Sequence, residues 1–310
     1  MRAAFVALTP AFRTGVGRLR KGDDMENTER QRHFTEPECS KSGNPLRKIP
    51  IEELHSTKRQ KMSPVVGGQT MVAILKVLIR ETGLFLGVWI FMKSTLWETV
   101  FHKPAWHPEY FTFKSPEEEE YFKEVFNQLS FMIIVFNELK RRYGQFLADE
   151  ITAKMAIPAA IPYLRSTFTY LEDLAEIEQI LDQLADYLAG AVGPHRGFEG
   201  DVYVAEDHTE ARLHVTKCAY IMIMKAYGLK TFAAYSCLAD HVLFDNFITN
   251  VKLGRKHAIG VGDAYCDHIL RLRSADDTEN DEADYADSYK AKFGGRDVME
   301  HWKEVYRLKG

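Results

Sequence analysis

The sequence predicts an α+β fold: N-terminal helices followed by two β-hairpins that form a small antiparallel sheet covered by helices. Three observations predict it. Apolar residues recur at helical spacing through most of the segment between residues 115 and 190. From residue 201 the period shortens to two, and VYVAEDHTEARLHVTKC reads as strand, polar turn, strand. Two helical stretches, AYIMIMKAYG and TFAAYSCLADHVLFDNF, then separate this hairpin from a second one in VKLGRKHAIGVGDAYCDHILRLR. Hairpins interleaved with helices favour a sheet with a helical cover.

Each element has a local reason. Residues 1–65 are polar, rich in Lys, Arg, Glu, Ser and Pro, and lack periodicity. Such a stretch buries too little apolar surface to offset its ordering entropy, so it is expected to be a disordered leader, dispensable for folding. Its first 22 residues hold Arg2, Arg13, Arg18, Arg20 and Lys21 with no acid. That resembles a mitochondrial transit peptide, but sparse apolar positions favour an upstream start, with Met25 and Met62 as other initiators. Residues 66–114 form an apolar helical extension. Lys76, Arg80 and Glu81 interrupt its 69–101 stretch and lie on one helical face, so an amphipathic helix or helix pair is expected. Packing on the protein's own core or on another subunit ranks first. A membrane surface, anchored by Trp89 and Trp97, ranks second, and spanning ranks last.

A third domain, residues 115–274, opens at Ser115-Pro116 followed by four glutamates, an N-cap with acids on the positive end of the helix dipole. Gly144 is the expected C-cap. A second helix follows and is expected to be broken by Pro158 and Pro162, and a third spans YLEDLAEIEQILDQLADYLAG. In the second hairpin the turn is expected at Val261-Gly262-Asp263. Residues 275–310 are an acidic linker and a C-terminal helix.

Composition sets bounds on function. The chain has 310 residues, 45% hydrophobic and 27% charged, which is a globular balance. Its net charge is -4 and it has no basic stripe with interleaved aromatics, so nucleic acid is set aside. Four cysteines, three of them in the C-terminal half, are a poor disulfide framework. An intracellular, reducing, cytoplasmic setting is expected, with membrane association or a mitochondrion as alternatives.

The chemistry-bearing residues cluster in the hairpin domain. Cys237, Asp240 and His241 sit at i, i+3 and i+4 and share a helical face. In the last strand Cys266 and His268 alternate onto one face, with Asp267 on the other. Leu253, Arg255, His257 and Ile259 are expected to share a face of the partner strand. Cys218 closes the first hairpin, preceded by Lys217. A single buried cysteine is ordinarily a small hydrophobe. Three flanked by ionisable groups weaken that reading. No CxxC or HxxxH pair supports zinc, and Gly260-Val261-Gly262 lies in a hairpin rather than before a helix, so neither a metal nor a nucleotide cofactor is expected.

At these positions the chain resembles the L-2-amino-thiazoline-4-carboxylic acid hydrolase family. HVTKCAY, YSCLAD and GVGDAYCDHILRL are similar to its three motifs in order and spacing over residues 201–273, with a weaker likeness back to about 121. The resemblance implies ring-opening hydrolysis of a cyclic amidine, a carbon–nitrogen bond other than a peptide. It places Cys218, Cys237, Asp240, Cys266 and Asp267 on motif positions. His268 stands where the family usually has an aromatic, His257 where it commonly has an amide, and Lys217 where it has an arginine.

A small-molecule hydrolase is therefore expected, with a cysteine thiolate as nucleophile and His268 or His257 as base. Arg255, Lys217, His241 and His257 would bind the substrate. A cyclase or isomerase of specialised metabolism on the same fold is the alternative, and a binding protein with core cysteines a second. The sharpest expectation is geometric: Cys237, Asp240, Cys266 and His268 should converge between the second covering helix and the C-terminal hairpin.

Overall fold

The computed structural model describes residues 43, 45–49, 64–98, 103–168, 198–248, 250–274 and 277. Helices α1 (Pro64–Thr82) and α2 (Leu84–Met92) form a helical hairpin, and α2 runs on into a π-turn, Lys93–Glu98. Gly83 makes the hairpin turn with φ 86°, a left-handed conformation that suits glycine. The two helices touch at Gly87, where a Cβ would sit 2.6 Å from the Ile79 backbone nitrogen.

The hairpin packs on α3 (Pro116–Phe168), so the described part of the 69–101 segment covers the protein's own helix. Ile74, Val77, Leu78 and Ile90 are fully buried there. Lys154 meets Glu81 at 2.6 Å, and Lys93 meets Glu138 at 2.9 Å. Ser115 caps α3, its hydroxyl accepting from the Glu118 amide. Gly144 interrupts α3 with φ 82° and ψ 171°, so the expected helix boundary appears as a kink. The expected break at Pro158 and Pro162 does not occur, because helix continues to Phe168. Burial of Ile157 and Ile161 offsets the lost backbone bonds.

The sheet has five antiparallel strands in the order β1-β2-β3-β5-β4. They are β1 (Leu46–Ile49), β2 (Phe198–Ala205), β3 (Ala211–Cys218), β4 (Val251–Gly254) and β5 (Cys266–Leu272). Helices α4 (Ala219–Ala226) and α5 (Lys230–Asn246) follow β3. The α+β reading holds, with one strand more than expected. That strand corrects the reading of residues 1–65 as a wholly disordered leader. Leu46–Ile49 pairs with Val202–Ala205, and Lys48 meets Asp201 at 2.8 Å. Most of the rest of the leader, the helix expected within residues 169–190 and the expected C-terminal helix lie outside the described residues.

The first hairpin turns where expected. Asp207 accepts from the Thr209 amide and hydroxyl, and His208 takes φ 55°. The second differs from expectation. β4 stops at Gly254, and a connection containing a 3-10 turn, Ile259–Val261, leads to Cys266. Arg255, His257 and Ile259 therefore do not alternate on a strand face.

Alternation divides the sheet chemically. Leu213, Val215, Cys266, His268 and Leu270 share the face that meets α5, whereas His214 and Asp267 are paired on the opposite face.

Candidate active site

Arg255 organises the site. It is 2% exposed. One guanidinium nitrogen donates to Asp240 at 2.8 Å and lies 3.3 Å from His268 Nε2; the other donates to the Cys237 carbonyl. His268 Nε2 also faces Asp240 at 3.7 Å, and its Nδ1 is buried with no hydrogen-bond partner among the described residues. Because β4 ends at Gly254, Arg255 leaves the sheet and reaches α5 instead of following the strand face. A buried guanidinium needs such partners to offset its desolvation.

Around this network lie three free, buried thiols, Cys218, Cys237 and Cys266. Cys266 Sγ accepts from the Ile259 amide at 3.2 Å. Gly260 packs directly on Cys237: a Cβ there would be 2.5 Å from its Sγ. Only glycine lets the 3-10 turn approach α5 this closely. The expected convergence of Cys237, Asp240, Cys266 and His268 is therefore present.

The electrostatics follow from burial. Burial pushes the Cys218 thiol up to about 12 and Cys266 well above the usual thiol range. Cys237 is also raised by burial, but Arg255, a Gly260 backbone hydrogen bond and Lys225 all oppose the rise. Arg255 works toward the thiolates of Cys237 and Cys266, and Lys225 toward all three. Asp240 would be raised by burial, yet His268 and Arg255 hold it below the ordinary carboxylate range. Burial, reinforced by Arg255 and His268, keeps the fully enclosed His241 neutral.

Lys225 was not singled out from sequence. Its ammonium donates to the Ile259 carbonyl at 2.6 Å. Burial lowers its pKa, and the fields of Cys237, Cys218 and Cys266 partly offset that. It brings a cation to the three thiols from α4. In the sequence it is one lysine in an apolar helix, and only its place two turns after Cys218 hinted at this.

Three expected site residues fall elsewhere. Asp267 lies on the far face of the sheet, where one oxygen accepts from the Lys256 and His257 amides and the other meets His257 Nδ1 at 3.1 Å. Tyr265 packs between His257 and His214 there. Lys217 ties the sheet to the start of α3, pairing with Glu118 and lying over the Phe122 ring.

These positions have a family counterpart. Residues 123–270 match the L-2-amino-thiazoline-4-carboxylic acid hydrolase family. The match confirms the resemblance read from the three motifs. It runs from the first turns of α3 to Leu270 and contains every residue of the cluster, whereas β1, α1 and α2 lie outside it. No curated protein and no solved structure matches the chain. The family's name describes a hydrolase. Among the described residues, no helix is long and apolar enough to cross a membrane.

Proposed function

We propose that the chain is a small-molecule hydrolase that opens a cyclic carbon–nitrogen bond at the Cys237–Asp240–Arg255–His268 cluster. The observation that carries this reading is Arg255 joining the Asp240 carboxylate, the His268 ring and the Cys237 carbonyl within one family-matched domain. Burial keeps the resting thiols protonated, so attack by sulfur requires a base. With Nε2 turned to Asp240, the unpartnered His268 Nδ1 can take a proton.

The Cys237 thiol adds to the amidine carbon of a small cyclic substrate, and its proton passes to His268. The ring carbon–nitrogen bond breaks, and the nitrogen leaves with that proton. Water, deprotonated by the same imidazole, adds to the carbon and releases it, and Cys237 recovers its proton. Lys225 supports the developing thiolate, Arg255 fixes Asp240, and neutral His241 fills the space behind them.

The test is turnover of 2-amino-thiazoline-4-carboxylate by the full chain. Cys237→Ala should abolish it, and His268→Asn or Asp240→Asn should slow it roughly 10²-fold or more. Cys218→Ala should keep it, since burial holds that thiol up at about 12. A folded Cys237→Ala variant with undiminished turnover would remove the thiol step. Full activity in both His268→Asn and Cys237→Ala would remove the site.

A further inference from the structure

The helical hairpin outside the family-matched segment has its own surface chemistry. Every large hydrophobic side chain that is exposed among the described residues lies on α1, α2, the π-turn or the adjoining kink of α3. Leu84, Phe85, Val88, Trp89 and Met92 follow one face of α2, and Phe85 is 90% exposed. Contacts with α3 fix where this face lies. Lys93 meets Glu138, Arg142 stacks 4.2 Å from the Trp89 ring, and Glu81 meets Lys154. The helices therefore run antiparallel, which sets Phe85 level with the turn after Gly144, where Phe146 is 75% exposed. Exposed apolar residues of both helices thus gather at one end of the pair, where Leu84 and Phe85 follow Gly83, and Phe146 and Leu147 follow Gly144.

The rim of the patch is cationic. Segments 72–96 and 138–150 carry Lys76, Arg80, Lys93, Lys140, Arg141 and Arg142, with Glu81, Glu138, Asp149 and Glu150 as the acids, of which Asp149 accepts from Gln145 and Glu150 faces Lys154. The other two also face cations: Lys93, Arg141 and Arg142 converge on Glu138, and Lys154 and Arg80 face Glu81. This is a positive region in a chain whose net charge is -4. Trp89 stands at the boundary, with Lys93 and Arg142 over its ring.

We infer that this face docks the protein on an anionic lipid bilayer, with the α2 face entering the headgroup region and the lysines and arginines meeting lipid phosphates and carboxylates. Apolar residues on one helix face, an interfacial tryptophan and a basic rim are the chemistry of a helix that lies in a membrane surface. A second copy of the chain fits less well, because two positive rims would oppose each other. The chain's own acidic run at 275–289 has the charge but little apolar surface to cover the patch. Spanning does not apply, since no described helix is long and apolar enough. The inference is independent of the proposed chemistry.

Flotation of the full chain tests it, using phosphatidylcholine vesicles and vesicles of phosphatidylcholine and phosphatidylserine at roughly three to one. Binding should appear with phosphatidylserine and fall severalfold at high salt, where charges are screened. Phe85→Glu should lower binding about tenfold without altering the melting temperature, because the side chain is exposed. Arg80→Glu should weaken it less. Absence of binding to either vesicle would overturn the inference, as would binding that Phe85→Glu leaves intact. A dimer that Phe85→Glu dissociates, with no vesicle binding, would identify a second copy as the occupant instead.

Discussion

Gly260 shows how a single missing Cβ shapes the site. The 3-10 turn can rest on α5 only while this position is bare. An added methyl would meet Cys237 Sγ at 2.5 Å and the Ala233 carbonyl at 3.0 Å. Gly260→Ala should therefore lift the turn off the helix and cost about 1–3 kcal/mol. The Ile259 amide would move with it and release Cys266 Sγ. Denaturant midpoints should show the loss of stability, and thiol-labelling rates with a disulfide reagent should rise; unchanged values for both would show that the contact relaxes freely. At this scale part of the site was legible in the sequence. The i, i+3 spacing of Cys237 and Asp240, and the alternation of Cys266 and His268, put those four together because helical and strand periods are rigid. Asp267 was drawn in by its motif position, although alternation sends it to the other face, and His257 by an expected strand face that ends at Gly254. Arg255 was expected as a substrate ligand on a strand face; where β4 ends depends on long-range pairing, and that turns it into the buried link between α5 and β5. Lys225 has only a faint local signature, since its partners come from four other elements.

Among the elements, α3 and the α1–α2 hairpin meet through an ion cluster as well as apolar contacts. Glu138, 4% exposed, accepts from Lys93 of the π-turn and from Arg141 and Arg142 one helical turn along. Burial alone would raise its pKa, but those three cations bring it down to about 2. A carboxylate depressed in this way contributes stability above the ordinary value of 4.5, and that contribution is lost as pH falls through about 2. Glu138→Gln should therefore destabilise the protein by on the order of 2 kcal/mol at neutral pH, part of it from leaving three cations without their common anion. The difference from the unsubstituted chain should shrink steadily below about pH 4.5 in urea titrations. A difference independent of pH would mean that the side chain acts through packing. Periodicity and Lys76, Arg80 and Glu81 made the amphipathic pair readable. The turn at Gly83 and the close crossing at Gly87 were not, because they depend on which faces meet. The persistence of helix through Pro158 and Pro162 also needed the tertiary context: burial outweighs a local breaking signal.

For the whole molecule, the decisive feature is where the sheet ends. Without β1, the outer edge would be β2, whose backbone groups over Val202–Ala205 would lose their partners. The composition of residues 1–65 concealed this strand, since LRKI is short and two of its residues, Arg47 and Lys48, are exposed. Its propensity is weak, and it is held by the edge it completes, including the 2.8 Å pair between Lys48 and Asp201 and the bond from the Glu206 amide to the Pro45 carbonyl. Dispensability of residues 1–65 therefore divides in two. A chain beginning at Gly43 should melt with the full-length protein. One beginning at Gly67 should lose a strand, expose β2 and melt several degrees lower, on the order of 2–4 °C per kcal/mol for a protein of this size. The newly bare edge should also raise its tendency to aggregate on heating. Thermal melts of both chains, with light scattering recorded in parallel, check this. Equal melting temperatures for the two would mean that β1 contributes nothing to stability, and the sheet would then be held by its three other pairings alone.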